Sequence, residues 1–309
     1  MNSIYGLAVN PGILPDQEAI WGIRGTARHG KTAGDTALNY YVNGNHANAS
    51  DNNVGTDPYA PLATIQAAIT ASNALIDWAL TPPYEDFNTI WVAPGVYAEN
   101  LTPAFYARII GTGLATGGDV CVNVEPATGS PLAGTGLAMY LYNIRFTCNT
   151  AVPILDFAVM NSCIVDRCMI VDGNPGLATV GIDTTDAGGS KIINCNFAYN
   201  TNPLTIGIRS TGDFFDCLIQ DCLIKAATTG IDLSGAALCG GSVAERNKIW
   251  NGGSGALLTT GIDDSVVGDL YCDDNRIVAV DAINHADANM TINNHVNNNG
   301  VGAIELVGT

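Results

Sequence analysis

Seven stretches of the chain superimpose without a gap, and one column of that alignment holds Ile144, Cys168, Cys195, Cys222, Asn247, Asn275 and Asn294. The successive spacings are 24, 27, 27, 25, 28 and 19 residues. Two residues later the stretches carry Phe146, Ile170, Phe197, Ile224, Ile249, Ile277 and Val296. Three residues earlier they carry Leu141, Val165, Ile192, Ile219, Ala244, Cys272 and Thr291. Polar residues lie between: Asn143, Arg167, Asn194, Asp221, Arg246, Asp274 and Asn293 on one side, and Arg145, Asn196, Lys248, Arg276 and His295 on the other. Taken as alternation with period two, each stretch is a strand with one buried face. Strands that recur at this period and offer like residues in one column predict a solenoid.

A lone Asn in a β core costs on the order of 1–3 kcal/mol as an unsatisfied polar group. Stacked coil on coil, about 4.8 Å apart, each side-chain amide donates to the carbonyl of the next. The cysteines fit the same column as small apolar residues. Their Cβ atoms would stay about a strand spacing apart, whereas a disulfide wants about 3.8 Å, so reduced thiols are expected. Nine cysteines are an odd number without regular disulfide spacing, and Cys163–Cys168 and Cys217–Cys222 are spaced by the repeat rather than as metal motifs.

A second strand per coil has its core position at Ile154, Ile182, Ile208, Ile231, Ile262, Ile283 and Ile304, often just after a glycine: Gly181, Gly207, Gly230 or Gly261. The residue after the Ile points outward: Asp183, Arg209, Asp232, Asp263, Asn284, Glu305. The segments 172–180, 198–206 and 251–260 vary in length between coils and are expected to be loops on one side of the solenoid.

With 12 basic against 29 acidic residues, the formal charge is -17. Such a surface repels nucleic acid and anionic membrane, and it argues against a site for polyanionic sugars. No stretch approaches the ~18 apolar residues of a membrane span. The first residues carry no basic region ahead of an apolar core, so no secretory signal is expected. Residues 1–48 stand outside the repeat and form an arm, with Ile20, Trp21 and Ile23 beside Arg24, Arg28, His29 and Lys31. Apolar residues near helical spacing predict one helix at about 60–80, covering the open end of the first coil. After it, Thr89–Leu101 gives a strand, a Pro-Gly turn and a second short strand.

The runs ATIQAAI (Ala63–Ile69), TIWVAPGVYAENL (Thr89–Leu101) and RIIGTG (Arg108–Gly113) resemble the entry segment of the pectate-lyase-like superfamily, and residues 40–69 are similar to the leader before it. The resemblance covers about residues 40–309. It implies an all-β fold, a right-handed, single-stranded parallel β-helix with an N-terminal capping helix, over residues 49–309. An Asn ladder is a feature of that fold. Activity does not follow, because the superfamily spans lyases, hydrolases, esterases, epimerases, adhesins and phage tailspikes.

The best catalytic candidates are Asp183, Asp232 and Asp263 with Arg209, in the outward column after the Ile positions. Asp232 and Asp263 are expected to be near neighbours, with Arg209 pairing Asp183 or Asp232. A like-charge carboxylate pair raises one pKa, as acid catalysis wants; a solvated acidic face is the blander and favoured reading. Asp216, Asp221, Arg246, Asp273 and Asp274 form a second group, expected as a cross-strand ion ladder with Arg246 between Asp221 and Asp274. His29, His46, His285 and His295 have no metal-ligand spacing, and GTGLATGG (Gly111–Gly118) is a turn rather than a dinucleotide fingerprint, so neither metal nor cofactor is expected.

Three functions fit such a chain: a structural or receptor-binding protein of a virus particle (a phage tailspike or capsid decoration), a polysaccharide lyase or glycoside hydrolase, or a bacterial surface adhesin or filament subunit. The first is preferred, which leans away from an enzyme. The expected location is a virion or the extracellular space. Residues 302–309 still follow the Ile strand, so the final coil is expected to be covered by a homo-oligomer, a trimer being favoured. Other virion proteins through residues 1–48, and a cell-surface glycan, are the further partners this reading implies.

Overall fold

The computed structural model describes residues 38–76, 87–113, 121–173, 178–197, 203–251, 258–264, 270–285, 291–292 and 295–296. Three parallel sheets form the faces of one solenoid. The first sheet has ten strands and starts at Asn39–Val42, inside the segment read as an arm, pairing with Asn88–Val92. Its inward residues stack as expected: Leu141, Val165, Ile192, Ile219, Ala244 and Cys272. The second sheet stacks Phe146 on Ile170 and, further along, Ile224 on Ile249 on Ile277. The third stacks Ile182, Ile208, Ile231, Ile262 and Ile283. All of these side chains are buried.

The single period-two strand does not hold. Each aligned stretch is two strands joined at a corner. Asn143, Arg167, Asn194, Asp221, Arg246 and Asp274 take left-handed φ values of 56°, 51°, 55°, 52°, 53° and 48°. The reason lies in the spacing. Leu141 and Ile144 both face inward, three residues apart, and an unbroken strand would put them on opposite faces. One left-handed residue re-aims the chain, and Asn and Asp tolerate that conformation best. A second corner column recurs at Ala138, Ser162, Gly189, Asp216 and Gly241, with φ of 49°, 52°, 58°, 51° and 74°.

The corners explain the ladders. Asn247 Nδ2 donates to Asn275 Oδ1 at 3.0 Å, as predicted. Each Asn oxygen also accepts a backbone N–H from the preceding coil: Cys222 N to Asn247 Oδ1, and Asn247 N to Asn275 Oδ1, both at 3.0 Å. Each Nδ2 donates to a carbonyl there: Asn247 to Ile219 O at 2.9 Å, and Asn275 to Ala244 O at 2.8 Å. The cysteines are more than fillers. Cys195 Sγ donates to Val165 O at 3.3 Å, and Cys222 Sγ to Ile192 O at 3.5 Å, the equivalent carbonyls one coil back. All nine cysteines are buried and outside any disulfide. Asn294 lies outside the described residues.

A second ladder follows the other corner: Met139, Cys163, Ser190, Cys217 and Ser242. Ser190 Oγ accepts from Cys163 N at 3.0 Å and donates to Met160 O at 2.7 Å. Ser242 Oγ accepts from Cys217 N at 3.1 Å and donates to Phe214 O at 2.7 Å. The glycine before the third-sheet Ile also has a reason. A Cβ on Gly230 would lie 2.5 Å from Gly261 O and closer still to Ile249 Cγ2, so only glycine lets the third sheet close on the second.

The register corrects one alignment. Ile182 pairs with Leu155, not Ile154, so the outward residue of that coil is Asp156. The capping helix α1 is shorter than expected, Ile65–Asn73, and buries Ile65, Ala68 and Ile69 against the first coil. Leu75 lies beyond it and is exposed. Ser and Asn, poor interior helix formers, sit at its end. Its start is held by carboxylates: Glu99 accepts from Ile65 N and Gln66 N at 2.8 and 2.9 Å, and Asp51 from Ala63 N and Thr64 N at 3.0 and 2.9 Å. The arm residues Trp21 to Lys31, residues 77–80 of the expected helix, and Ile304 to Thr309 lie outside the described residues.

Candidate functional site

The third sheet aligns its outward residues in register as Ala133, Asp156, Asp183, Arg209, Asp232, Asp263 and Asn284. Four carboxylates therefore share one column with a single Arg. Arg209 grips Asp183 in a bidentate pair, Nε to Oδ1 at 2.8 Å and Nη2 to Oδ2 at 2.7 Å. Hydrogen bonding to Asp183 raises the Arg209 pKa, and its burial opposes that rise. Asp232 and Asp263 are register neighbours, as expected. Each also has a local partner: Asp232 Oδ1 accepts from Ser234 Oγ at 2.7 Å, and Asp263 Oδ1 from Asn284 Nδ2 at 3.2 Å.

Asp156 was missed in the sequence because Ile154 was taken for the core residue. The apolar–Asp dipeptide that marks Ile182-Asp183, Ile231-Asp232 and Ile262-Asp263 recurs one step later, at Leu155-Asp156. Burial raises the pKa of the Asp156 carboxyl, and repulsion from Asp183 adds to the rise, while Arg209 opposes it. A carboxyl with a raised pKa thus stands beside an Arg-paired carboxylate.

The second group divides. Asp216 belongs to one corner column and Asp221 to the other, at opposite ends of the Leu218–Gln220 strand. Arg246 forms a bidentate pair with Asp221, both bonds at 3.0 Å, and its Nη1 reaches Glu245 Oε1 at 2.9 Å. The expected Asp221–Arg246 contact is present; the second carboxylate on Arg246 is Glu245 rather than Asp274. All three side chains are solvated, so this is an ion ladder of modest strength. His46 Nδ1 accepts from Asn48 N within a turn, at 3.1 Å. Backbone pairing sets His285 beside Asp264 in the third sheet, and His295 beside Arg276 in the second. His29 lies outside the described residues, and no cluster of metal-ligating side chains occurs among those described.

A cluster on the outward face of the first sheet had no counterpart in the sequence reading. Tyr140 OH donates to Asp166 Oδ2 at 2.8 Å, and Asn194 Nδ2 to Asp166 Oδ1 at 3.0 Å. Arg167 Nη1 donates to Tyr142 OH at 2.9 Å, with its guanidinium 5.5 Å above that ring. Burial pushes the Tyr140 phenol far up, and the charge of Asp166 adds to this. Ile110, Tyr142 and Asp166 face outward from the first sheet yet are only 3%, 2% and 3% exposed. The available signal was apolar Tyr140, Tyr142 and Ile164 where later coils place Lys191, Gln220 and Glu245. This face is a packed layer.

Fold and outer columns together define a three-sheet parallel β-helix whose polar residues tie coil to coil. No family model matches the sequence, and no curated protein does. Among solved structures, a pectin methylesterase from carrot is similar over 87% of this chain and 90% of that one, with 12% identity and a TM-score of 0.33. The fold class rests on the strand registers of the chain itself. No helix of the described residues is long and apolar enough to cross a membrane.

Proposed function

We propose that the chain is a structural or receptor-binding protein of a virus particle, a phage tailspike or capsid decoration, built on the layout of the pectate-lyase-like superfamily. The observation that carries this reading is the set of nine buried thiols outside any disulfide. Disulfides form and persist in oxidising compartments. A recognition shaft that works outside the cell, yet buries nine thiols with none in a disulfide, five of them in the two corner ladders, fits a chain folded in a reducing cytoplasm and released by lysis within a particle. The paired charges support the same reading: Arg209 with Asp183, and Arg246 with Asp221, spend their charge on holding neighbouring coils together.

In this reading the partners are two further copies in a trimer, other virion proteins through residues 1–48, and a cell-surface glycan. The test is co-sedimentation. Density-gradient fractions from a lysed host are probed with an antibody to the chain. The reading expects signal in the particle band; signal confined to the soluble fraction or the host surface would refute it.

A polysaccharide lyase or glycoside hydrolase is the second reading. One observation favours it: Asp156, with its pKa raised, stands next in register to Asp183. Glycoside hydrolysis uses such an acid beside a second carboxylate.

A further inference from the structure

In a chain of formal charge -17, one outward face gathers cations. On the second sheet, Lys248 pairs in register with Leu223 and Arg276, and Trp250 with Lys225 and Val278. These six positions include three cations and no acid; Lys225 is buried at 7% exposure and lies outside the groove, so Lys248 and Arg276 are the two exposed cations. Among the described residues neither Lys248 nor Arg276 forms a salt bridge, in contrast to Arg209 and Arg246. The Lys248 ammonium stands 4.9 Å from the centre of the Trp250 ring. Lys248, Trp250, Asn251, Arg276 and Val278 line a groove of ≈ 270 Å³, open to solvent.

We propose that this groove binds a single sugar ring carrying a negative charge, with the carboxylate between Lys248 and Arg276 and the C–H face of the ring against Trp250. This deepens the receptor-binding reading and rests on it for the source of the glycan. Three features select that ligand class. The volume suits one ring and falls just short of drug-sized pockets, which start at about 300 Å³. An indole beside an ammonium offers an apolar plane and a charge together. Arg276 supplies a planar fork that matches a carboxylate with two parallel hydrogen bonds. The overall charge argues against anionic sugars, but salt screens the acidic columns beyond about 8 Å, so the nearest cations govern the groove.

The experiment titrates the protein with D-glucuronate and, separately, D-glucose, following the Trp250 indole N–H by NMR. Glucuronate should shift it saturably and glucose should not. The K248Q/R276Q double variant should bind glucuronate at least tenfold more weakly, and W250A likewise, with thermal midpoints near wild type. K191Q, on the first sheet, should stay within twofold. An equal response to glucose, or an unchanged double variant, would overturn the proposal. So would poly-glutamate outcompeting glucuronate at equal carboxylate concentration, which would make the groove a peptide site. Binding of the protein to whole acidic glycans separates the two readings. If it persists in K248Q/R276Q, the groove fails and the receptor reading stands. If wild type binds no cell-surface glycan while glucuronate still shifts Trp250, the receptor reading fails and the groove stands.

Discussion

Replacing Asn275 tests the ladder with a sign as well as a size. Its side chain is fully buried; Oδ1 accepts from Asn247 N and Asn247 Nδ2, and Nδ2 donates to Ala244 O. Asn275→Ala strips a partner from all three groups. Asn247 Nδ2 keeps Ile219 O, and Ala244 O keeps the ladder bond from Asp273 N that the strand register makes, so Asn247 N alone is left wholly unsatisfied. At about 1–3 kcal/mol for that buried group, with the small cavity left by the amide adding to it, the loss should be at least about 1–3 kcal/mol. Asn275→Asp behaves differently. Its carboxylate still accepts both bonds, but it is buried and sets an oxygen against Ala244 O, so its folded pKa lies above the unfolded value of about 3.9. A proton on that oxygen would restore the lost donor. The destabilisation is therefore absent below the unfolded pKa and grows as pH rises through the folded one, by about 1.4 kcal/mol per unit in between. Urea unfolding of wild type, both variants and an exposed control, Asn52→Asp, at pH 7 and near pH 4 provides the data. The control should stay within about 0.5 kcal/mol of wild type. If Asn275→Asp matches wild type at pH 7, or fails to recover relative to wild type in acid, the ladder reasoning is wrong.

Other expectations concern the thiols, the glycine column and the outer ion pair. Burial pushes the Cys163 and Cys217 thiols from 9.0 up to about 11, so stability is intact below pH 9 and falls as pH rises toward 11. Alkaline melts should show this limb, and the C163S/C217S double variant, which extends the Ser190 and Ser242 pattern, should lack much of it. Cys168, Cys195 and Cys222 should resist bulky thiol reagents until the chain unfolds; rapid labelling of the native protein, or a Cys168–Cys195 bridge in a mass spectrum, would contradict the column. Gly230→Ala should cost more than about 2 kcal/mol in denaturant melts, since its Cβ meets backbone as well as Ile249; a neutral result would refute the close approach of the sheets. Arg209→Ala should raise the Asp156 pKa further, read by carboxyl NMR, because Arg209 now holds it down; no change would mean the register places them apart.

The solenoid was legible because its apolar columns repeat with near-constant spacing, and each column is a line of burial that one residue cannot fake. The corners were hidden in plain spacing. Leu141 and Ile144 are an odd number of residues apart, which no single strand permits, but a left-handed residue leaves no composition of its own when Arg167 and Arg246 occupy it beside Asn and Asp. The Ser190 and Ser242 ladder follows the same intervals as the Asn ladder; it went unseen because serine and cysteine look unrelated until both are seen at one corner. Asp156 was lost to a one-residue slip that Ile154 invited. The cationic groove was half legible: Lys248 and Arg276 already stood in one column of successive stretches, but the partnership of Lys248 with Trp250 did not. Two residues apart on one short strand, Lys248 and Trp250 share a face, and the ammonium-over-indole contact between them is visible only in the folded chain.

The central functional claim is that the outer face recognises polysaccharide without cutting it. The most direct measurement incubates the full chain for a day with acidic and neutral polysaccharides, scoring new reducing ends, unsaturated products and released methanol, with Asp156→Asn in parallel. A recognition shaft predicts no product above the Asp156→Asn background from any polymer, including those it binds. Sustained product formation that Asp156→Asn abolishes would contradict it and establish the carboxylate column as an active site.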